Sequence, residues 1–269
     1  MTDIRTELVT ALERGIVVLQ SFSRESGSMT LSEVARANGL TVATARRAVL
    51  TLEKMGYLGR NGRRFVLRPR VLSLSAGYLN VVRRPFQPFV EGIVRELQGN
   101  ASIAVLDNGF VICVAYASTN PTADVRRGAG ARCPVHATAA GRVLLALQPM
   151  PAVDAYLTQG QGRRAALLRT LNTPGAWRAM LRRVRKDSCA LIRNEADDDS
   201  LSLAIPVFAP NGTPVAALEW SGSTDADDDA VRKQHLPALH RASDRIEAML
   251  LEVPDLVASL MASHASRLS

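Results

Sequence analysis

Residues 30–70, TLSEVARANGLTVATARRAVLTLEKMGYLGRNGRRFVLRPR, contain the local signals that decide the fold of the first part of the chain. Thr30 and Glu33 have the spacing of a capping box, in which the threonine hydroxyl accepts from the Glu33 amide and the Glu33 carboxylate accepts from the Thr30 amide. A short helix is therefore expected to begin there. It is expected to end at Gly39, because glycine readily adopts the left-handed conformation that closes a helix. Thr41 can cap a second helix directly, so the stretch predicts two helices joined by a tight turn.

The second helix combines an apolar stripe at helical spacing with polar and basic residues around the edge of that stripe. These polar positions fall in its N-terminal half. In a helix-turn-helix, this is the part of the second helix that meets base edges in the major groove. The sequence therefore assigns DNA reading to Thr41, Ala43, Thr44, Arg46 and Arg47.

The segment after the second helix predicts a β-hairpin. Residues 57–67, YLGRNGRRFVL, place an Asn-Gly pair, typical of a type I′ turn, between two short strands. The tip carries Arg60, Arg63 and Arg64, whose guanidinium groups suit contacts with phosphates or insertion into a narrow minor groove. A helical packing module with a solvated basic hairpin is the alternative, but it requires all these signals to coincide by chance.

The distribution of charge separates the chain into two parts. Residues 1–84 contain 14 Lys and Arg against 6 Asp and Glu, whereas residues 85–269 contain 19 of each, so the first part holds the whole net charge of +8. This segregation predicts salt-dependent binding of nucleic acid by the first part. It also predicts a different task for the second part.

Length and composition indicate a soluble protein of about two domains. The chain has 269 residues, of which 47% are hydrophobic and only 4% aromatic, so aliphatic cores are expected. No export signal begins the sequence, and no apolar run approaches the roughly 18 residues of a membrane span. The three cysteines show neither paired spacing nor companion histidines, which favours a reducing, cytoplasmic location.

Acidic runs at 196–200 and 224–230 resemble cation ligands at first sight. They lack the glycine and distal glutamate of an EF-hand, and aspartate at a helix start is explained by capping and by the helix dipole. We therefore expect no metal ion, and the sequence gives no indication of a cofactor.

The predicted division into domains follows from helical periodicity and from the prolines. An opening helix over 4–22 is expected to pack beneath the two helices through Leu12, Gly15, Ile16, Leu19 and Phe22. A linker helix is expected over 70–84, and Pro85 and Pro88 then punctuate the chain. The predicted division is a winged helix-turn-helix domain at 1–75, a linker at 76–88 and a second domain at 89–269.

The second domain alternates predicted strands and helices. Asp107-Asn108-Gly109 and Asn211-Gly212 stand between apolar runs and predict two hairpins. Helices are expected at about 86–98, 136–147, 151–158, 175–186 and 225–250, with another helix at the end of the chain. The fold class is therefore α+β, with a central antiparallel sheet flanked by helices.

Six segments, in this order and spacing, carry a family resemblance. They are ERGIVVLQSF, LSEVARANGL, RRAVLTLEKMGYL, FVLRPRVLSL, RCPVHATAAGRVLLA and LSLAIPVFAPNGTPVAALEWSG. Together they resemble the IclR family of bacterial transcriptional regulators over about residues 8–250, and most closely the branch that regulates aromatic-acid breakdown through the β-ketoadipate route. The resemblance implies a GAF-like effector domain, homodimers or homotetramers on palindromic operators, and a small organic acid as effector.

The same resemblance implies which residues form the effector pocket. They are Thr122, Val125, Cys133, Ala139, Ala140, Ile192, Arg193, Ser200, Ser202, Glu219 and Ser221. Exposed amides at the start of the HATAAG helix would suit a carboxylate. Family members that bind small keto acids have an acid at 192 and a small polar residue at 219. Ile192 makes the pocket more apolar, Arg193 could pair with a carboxylate, and Glu219 could accept from a hydroxyl or point into solvent. These departures favour an aromatic or bulkier acid.

Two other classes of function compete with a regulator. A cysteine-dependent enzyme with an appended nucleic-acid-binding domain would use Cys133 and His136, which lie three residues apart near a helix start. The sequence names no third residue to orient them, and a packed cysteine is the better explanation of Cys133. An architectural DNA-binding protein would have no need of the large neutral second domain. The sequence thus favours a ligand-responsive regulator without catalytic residues.

Overall fold

The computed structural model describes residues 9–22, 27–120, 128–158, 173–193 and 200–265. The chain divides into two compact units, residues 1–77 and 78–269. The finer division into domains at 1–75 and 89–269 with a linker at 76–88 stays a prediction.

The first unit contains the two helices that the capping signals predict. They are α2 (Leu31–Ala37) and α3 (Val42–Lys54), preceded by α1 (Thr10–Gln20). Both halves of the capping box form: the Thr30 amide donates to the Glu33 carboxylate at 2.8 Å, and the Glu33 amide donates to the Thr30 hydroxyl at 3.3 Å. Thr41 caps α3 by accepting from the Thr44 amide at 3.2 Å. The helix-turn-helix is therefore confirmed.

The hairpin is also present, within a sheet that is larger than expected. Strands β2 (Leu58–Asn61) and β3 (Arg64–Leu67) form the hairpin, and a third strand, β1 (Ser28–Thr30), pairs with β3 although the sequence did not predict it. All pairs are antiparallel, in the order β1-β3-β2. Three residues are too few for an alternating pattern to appear in the sequence, which is why β1 was not foreseen.

The predicted buried face of α1 is partly wrong. Phe22 is buried as expected, but Leu12 and Ile16 are 63% and 47% exposed. The fully buried residue is Val18, which packs in one core with Val34 and Val49. Alternative apolar stripes share this helix, and only packing selects one of them.

The segment from 69 to 97 is less regular than the single linker helix predicted over 70–84. A 3-10 helix (Pro69–Leu74), a short α4 (Ala76–Tyr78) and one π-helical turn (Leu79–Arg83) lead into α5 (Arg84–Leu97). The prolines do not end the helix: Pro85 lies in the first turn of α5, where its missing N–H costs nothing, and Pro88 lies inside it. The widened π turn stands directly before both prolines.

A six-stranded antiparallel sheet forms the centre of the second unit. Its strands are β4 (Asn100–Asp107), β5 (Phe110–Ser118), β6 (Arg132–Pro134), β7 (Ala190–Arg193), β8 (Ser200–Phe208) and β9 (Pro214–Ser223). The order across the sheet is β6-β5-β4-β9-β8-β7. Both predicted hairpins, β4–β5 and β8–β9, are confirmed.

Helices cover both faces of this sheet. The remaining helices are α6 (Ala139–Ala146), α7 (Met150–Thr158), α8 (Pro174–Asp187), α9 (Asp228–Glu252) and α10 (Pro254–Ala265). One core includes Phe86 of α5, Leu239 of α9 and Leu256 of α10. The other includes Leu144 of α6 and Trp177 of α8. The α+β class with a flanked antiparallel sheet is confirmed. Within the described residues no helix is long and apolar enough to cross a membrane.

Candidate DNA-reading surface and ligand cavity

The N-terminal half of α3 presents the predicted reading residues to solvent. Thr41, Ala43, Arg46 and Arg47 are exposed. Thr44 is half-buried, and its amide donates to the Thr41 hydroxyl. The two arginines point to different sides of α3. Arg46 lines a groove shared with the hairpin, whereas Arg47 lines an apolar groove shared with α1. Of the two arginines, Arg46 is thus the one that lies on the side of α3 facing the hairpin.

The three hairpin arginines differ in their surroundings. Arg60 pairs with Glu53, with Nη2 3.1 Å from Oε2, and stacks over Phe65. Arg64 pairs with Glu33 at 3.0 Å and donates to the Ser28 carbonyl. Arg60 and Arg64 therefore tie the hairpin to α3 and α2.

Arg63 is the hairpin arginine without such a tie. It is exposed, and the part of the chain that the structure describes gives it no partner. It shares its groove with Arg46. The geometry brings Arg46 and Arg63 together at one surface, which suits a base edge and a neighbouring phosphate.

In the second unit a cavity of about 230 Å³ lies between the sheet and the start of α6. Typical ligand pockets span about 300–1,000 Å³, so this cavity suits a compact molecule. Its lining includes Cys133, Ala139, Ala140, Ile192, Ser202, Glu219 and Ser221 from the predicted set. Seven of the predicted pocket residues, some of them far apart in the sequence, thus line the same cavity.

Two rows of strand-paired residues form the floor of the cavity. The first row crosses the sheet as Ile192, Ser202, Ser221 and Asn100. The second row crosses as Glu219, Ser102 and Tyr116. The small side chains of Ser102, Ser202 and Ser221 in these rows leave space in which a ligand can lie.

Asn100 is the centre of a hydrogen-bond network at one side of the floor. Its Oδ1 accepts from the Tyr116 hydroxyl at 3.1 Å and from the Ser118 hydroxyl at 2.6 Å. Its Nδ2 donates to the Ser221 carbonyl at 3.3 Å. The network fixes the polar wall before any ligand arrives.

The start of α6 is occupied by the protein's own carboxylate. Thr138 caps the helix by accepting from the Gly141 amide at 2.9 Å, and the Ala140 amide donates to Oε2 of Glu219 at 2.7 Å. The expectation of an open amide site for a ligand carboxylate is therefore wrong. Glu219 takes that position because β9 runs directly beneath the helix start, and the helix dipole favours its negative charge there.

Cys113 and Cys133 both line the cavity but differ in exposure. Burial, then the neighbouring Glu219 and Cys133, raises the pKa of the Cys113 thiol to about 12. Cys133 is half-exposed in β6, opposite Val111. Because the thiolate is the nucleophile, Cys113 is a wall residue that stays protonated near neutral pH.

One predicted pocket residue, Arg193, lies elsewhere. Arg193 faces away from the cavity: its Nε is 2.8 Å from Asp228 Oδ1, since successive strand residues point to opposite sides and Ile192 points inward. Arg193 is therefore removed from the proposed site. Ser200 begins β8, while Thr122 and Val125 lie outside the described residues.

Part of the cavity lining was not predicted from the sequence. Asn100, Ser102, Tyr116 and Thr138 all border the cavity. Asn100 and Ser102 alternate with apolar residues along β4, so a strand pattern with polar residues on its inward face was the available signal. Which face is inward follows from sheet order, which the sequence does not reveal.

Cys133 and His136, the two residues of the alternative cysteine enzyme, have different contacts. His136 is buried, with Nδ1 2.9 Å from the Tyr156 hydroxyl and its ring edge-on to Trp177 at 6.3 Å. Its partners Tyr156 and Trp177 belong to the core that includes α6 and α8, and Cys133 packs against the same core while also lining the cavity. Of the acidic runs, Asp227 caps α9 through the Ala230 amide at 2.7 Å. The described residues contain no cluster of His, Cys, Asp and Glu placed to hold a metal ion.

Comparison with known proteins matches both units to models of the same protein family. The protein-family model described as "Bacterial transcriptional regulator IclR C-terminal" matches residues 78–248, and the family model described as "IclR helix-turn-helix domain" matches residues 11–62. The "Pca regulon regulatory protein" of Pseudomonas putida is 29% identical over 80% of this chain and 75% of its own. The "p-hydroxybenzoate hydroxylase transcriptional activator" of Acinetobacter baylyi is 28% identical over 92% and 94%.

A solved structure has the same fold over nearly the whole chain. It is that of an IclR homologue from Microbacterium hydrocarbonoxydans in complex with 4-hydroxybenzoate. Its TM-score is 0.71 at 23% identity, and the match covers 90% of this chain and 99% of the other.

Proposed function

This chain belongs to the IclR family of bacterial transcriptional regulators, and from that premise we propose that it controls a catabolic operon in response to a small aromatic acid. The first domain binds operator DNA through α3 and the hairpin. The second domain binds the acid in the cavity between the sheet and α6. The observation that carries this proposal is the compact cavity itself, with apolar walls and a row of hydroxyl groups.

The names of the relatives support the class of effector. One relative activates expression of p-hydroxybenzoate hydroxylase, and one structural neighbour was solved with 4-hydroxybenzoate. Ile192 gives this cavity an apolar wall. A single aromatic ring fits such a wall better than a small keto acid does.

Operator binding requires more than one copy of the chain. A single recognition helix covers too few base pairs for useful selectivity, so we propose a homodimer, or a homotetramer built from dimers, on a palindromic operator. The half-sites would be inverted and about 34 Å apart, which is one turn of DNA. Sedimentation at micromolar concentration tests this proposal, and a monomer would contradict it.

Calorimetric titration with 4-hydroxybenzoate tests the effector proposal directly. Wild-type protein should bind the acid, and Ser202→Leu should abolish binding because the larger side chain fills the cavity floor. Ser223→Leu is the matched control, since Ser223 is exposed at the end of the same hairpin and outside the cavity lining. Equal binding by wild type and Ser202→Leu would place the ligand elsewhere.

A further inference from the structure

Gln87 of α5 bonds to the strand that carries one wall of the ligand cavity. It is half-buried and follows Phe86, which is fully buried against the sheet. Its Nε2 donates to the Tyr116 carbonyl of β5 at 3.1 Å. Because a carbonyl oxygen only accepts, the nitrogen of the Gln87 amide must be the atom that faces it. This bond joins a helix to a cavity-lining residue 29 positions later in the chain.

The same side chain also bonds in both directions along its helix. Nε2 donates to Oε1 of Glu91 at 3.1 Å, one turn later, and Oε1 accepts from Nε of Arg83 at 3.5 Å, one turn earlier. A hydrogen bond between neutral groups changes an equilibrium by about two- to tenfold. The bonds of Gln87 can therefore favour one position of the start of α5 over another.

Tyr116 faces the cavity and α5 at once. Its side chain lines the cavity, and its hydroxyl donates to Oδ1 of Asn100, a second lining residue, at 3.1 Å. Its carbonyl accepts from Gln87. A ligand that displaces the Tyr116 ring, or takes over its bond to Asn100, consequently moves the backbone to which Gln87 is bonded.

The start of α5 is the part of this helix that its own backbone holds least firmly. The π-helical turn Leu79–Arg83 stands directly before it, and such widened turns occur mostly as local interruptions of α-helices. Pro88 lies inside α5 and has no N–H, so the backbone bond to the Arg84 carbonyl is absent. A segment with fewer backbone bonds is easier to displace.

The other end of α5 is fixed to the sheet. Nε1 of Trp220 donates to the Gln98 carbonyl at 2.7 Å. Gly99 follows in a left-handed conformation, and a Cβ added there would lie 2.6 Å from the Ser221 carbonyl oxygen. The helix is therefore anchored at its C-terminal end, and a change in the cavity would be expressed at its N-terminal end.

We propose that Gln87 is a positioning residue that couples the occupied cavity to the start of α5, and through the covalent connection to the operator-binding domain. This inference rests on the proposed function and names the contact through which regulation acts. The acid binds best to one position of Tyr116, and Gln87 makes that position favour one arrangement of residues 79–87. A ligand shifts an equilibrium only through such a difference in affinity between two states.

Gln87→Met tests the coupling, because methionine has a similar length but no amide to donate or accept. Calorimetry with 4-hydroxybenzoate and fluorescence anisotropy with a DNA site selected by the wild-type protein measure the two affinities separately. Each affinity alone should stay within about twofold of wild type, while the change in operator affinity caused by the acid should shrink by about two- to tenfold. A residue that only supports the fold would not alter this ratio selectively.

Gln98→Met is the matched control on the same helix. The Gln98 side chain is exposed, and its amide donates at 3.4 Å to the Arg95 carbonyl, within α5, among the contacts that the structure describes. The substitution is chemically identical, and the backbone bond from Trp220 to the Gln98 carbonyl is retained. Gln98→Met should therefore respond to the acid as the wild type does.

Hydrogen–deuterium exchange gives a measurement on wild-type protein that does not depend on the folding of a variant. Saturating 4-hydroxybenzoate should change the exchange of backbone amides in residues 79–87 by about twofold or more, because their position is tied to Tyr116. The same peptides of Gln87→Met should exchange equally with and without the acid.

The outcomes separate this inference from the proposed function. A full response to the acid in Gln87→Met, equal losses in Gln87→Met and Gln98→Met, or unchanged exchange at 79–87 in the wild type would overturn the role of Gln87 and leave the acid as effector. Loss of acid or operator binding by folded Gln87→Met would also overturn it. Failure of the wild type to bind 4-hydroxybenzoate would contradict the proposed function itself, and this inference with it.

Discussion

At the scale of single residues, two of the three hairpin arginines form ion pairs with helix residues, and the third forms none within the described residues. Arg60 and Arg64 hold the hairpin through Glu53 and Glu33, whereas Arg63 has no such tie within the described residues. The sequence predicted three equivalent arginines at the tip. It could not separate them, because pairing depends on which helix faces the hairpin.

Arg46→Ala should weaken binding to a selected operator by about 1–3 kcal/mol if Arg46 reads a guanine. Arg63→Ala should weaken binding to operator and random DNA evenly and flatten the salt dependence, since a phosphate contact carries no sequence information. Fluorescence anisotropy at several salt concentrations measures both effects. Equal losses on both DNAs for both variants would remove the assignment of α3 as the reading helix.

Cysteine chemistry gives a residue-scale test of the cavity. At pH 8, iodoacetamide should modify half-exposed Cys133 about tenfold or more faster than Cys113, whose pKa is raised to about 12, or Cys189, whose burial also raises its pKa. A bound aromatic acid should slow modification of Cys133. Peptide mass spectrometry follows each site, and unfolded protein, in which all three react, is the control. Fast modification of Cys113 in the folded protein would contradict the cavity described.

Cys113 also makes stability depend on pH. Its pKa of about 12 in the folded protein lies above the ordinary value of about 8.5, so the folded state holds the proton more tightly than the unfolded state. Its contribution is fully present below about pH 8.5 and is lost as pH rises toward 12. Urea denaturation at pH 8 and pH 10 should therefore show a smaller loss of stability in Cys113→Ala than in wild type. An identical loss in both proteins would count against the raised pKa.

At the scale of elements, capping signals predicted helix starts well, whereas contacts between elements were not predictable. The side chains of three residues each accept a hydrogen bond from a backbone amide in the first turn of a helix, as capping predicts: Thr30, Thr41 and Asp227. By contrast, the HATAAG helix begins at Ala139 after a 3-10 turn, and the sequence predicted its start at His136. That turn depends on how closely α6 approaches the preceding backbone.

Gly141 is the position that permits this approach. A Cβ added there would lie 2.1 Å from the Val135 carbonyl oxygen, closer than any real contact. Gly141→Ala should therefore destabilise the protein by about 1–3 kcal/mol and weaken binding of the aromatic acid, because the start of α6 must shift. Gly92→Ala, where the nearest atom is the end of the Arg95 side chain at 4.0 Å, is the matched control in a helix. It should stabilise by about 0.4–1 kcal/mol. Urea denaturation measures both, and equal effects would show that the close approach is unimportant.

At the scale of the whole molecule, the segregation of charge along the sequence matches the division into two units. The basic first 84 residues contain the helix-turn-helix, and the neutral remainder contains the cavity. The sequence predicted this division of tasks because charge and capping are local properties. It did not predict that Glu219 occupies the start of α6, since that contact joins residues 79 positions apart.

An effector changes transcription only through a difference in its affinity for two states of the protein. A typical coupling of about 1–3 kcal/mol would change operator affinity by roughly 5- to 150-fold. The helical segment from 69 to 97 is the covalent connection between the domains, so we propose that it transmits the change. Through this segment, we propose, the cavity controls the operator-binding domain.

The most direct test measures operator affinity of wild type and Ser202→Leu by fluorescence anisotropy, with and without saturating aromatic acid. We expect the acid to change the affinity of the wild type, and Ser202→Leu to bind the operator with wild-type affinity and to be indifferent to the acid. Ser223→Leu should respond as the wild type does. A full response in Ser202→Leu, or loss of its operator binding while it remains folded, would contradict control of the DNA-binding domain by this cavity.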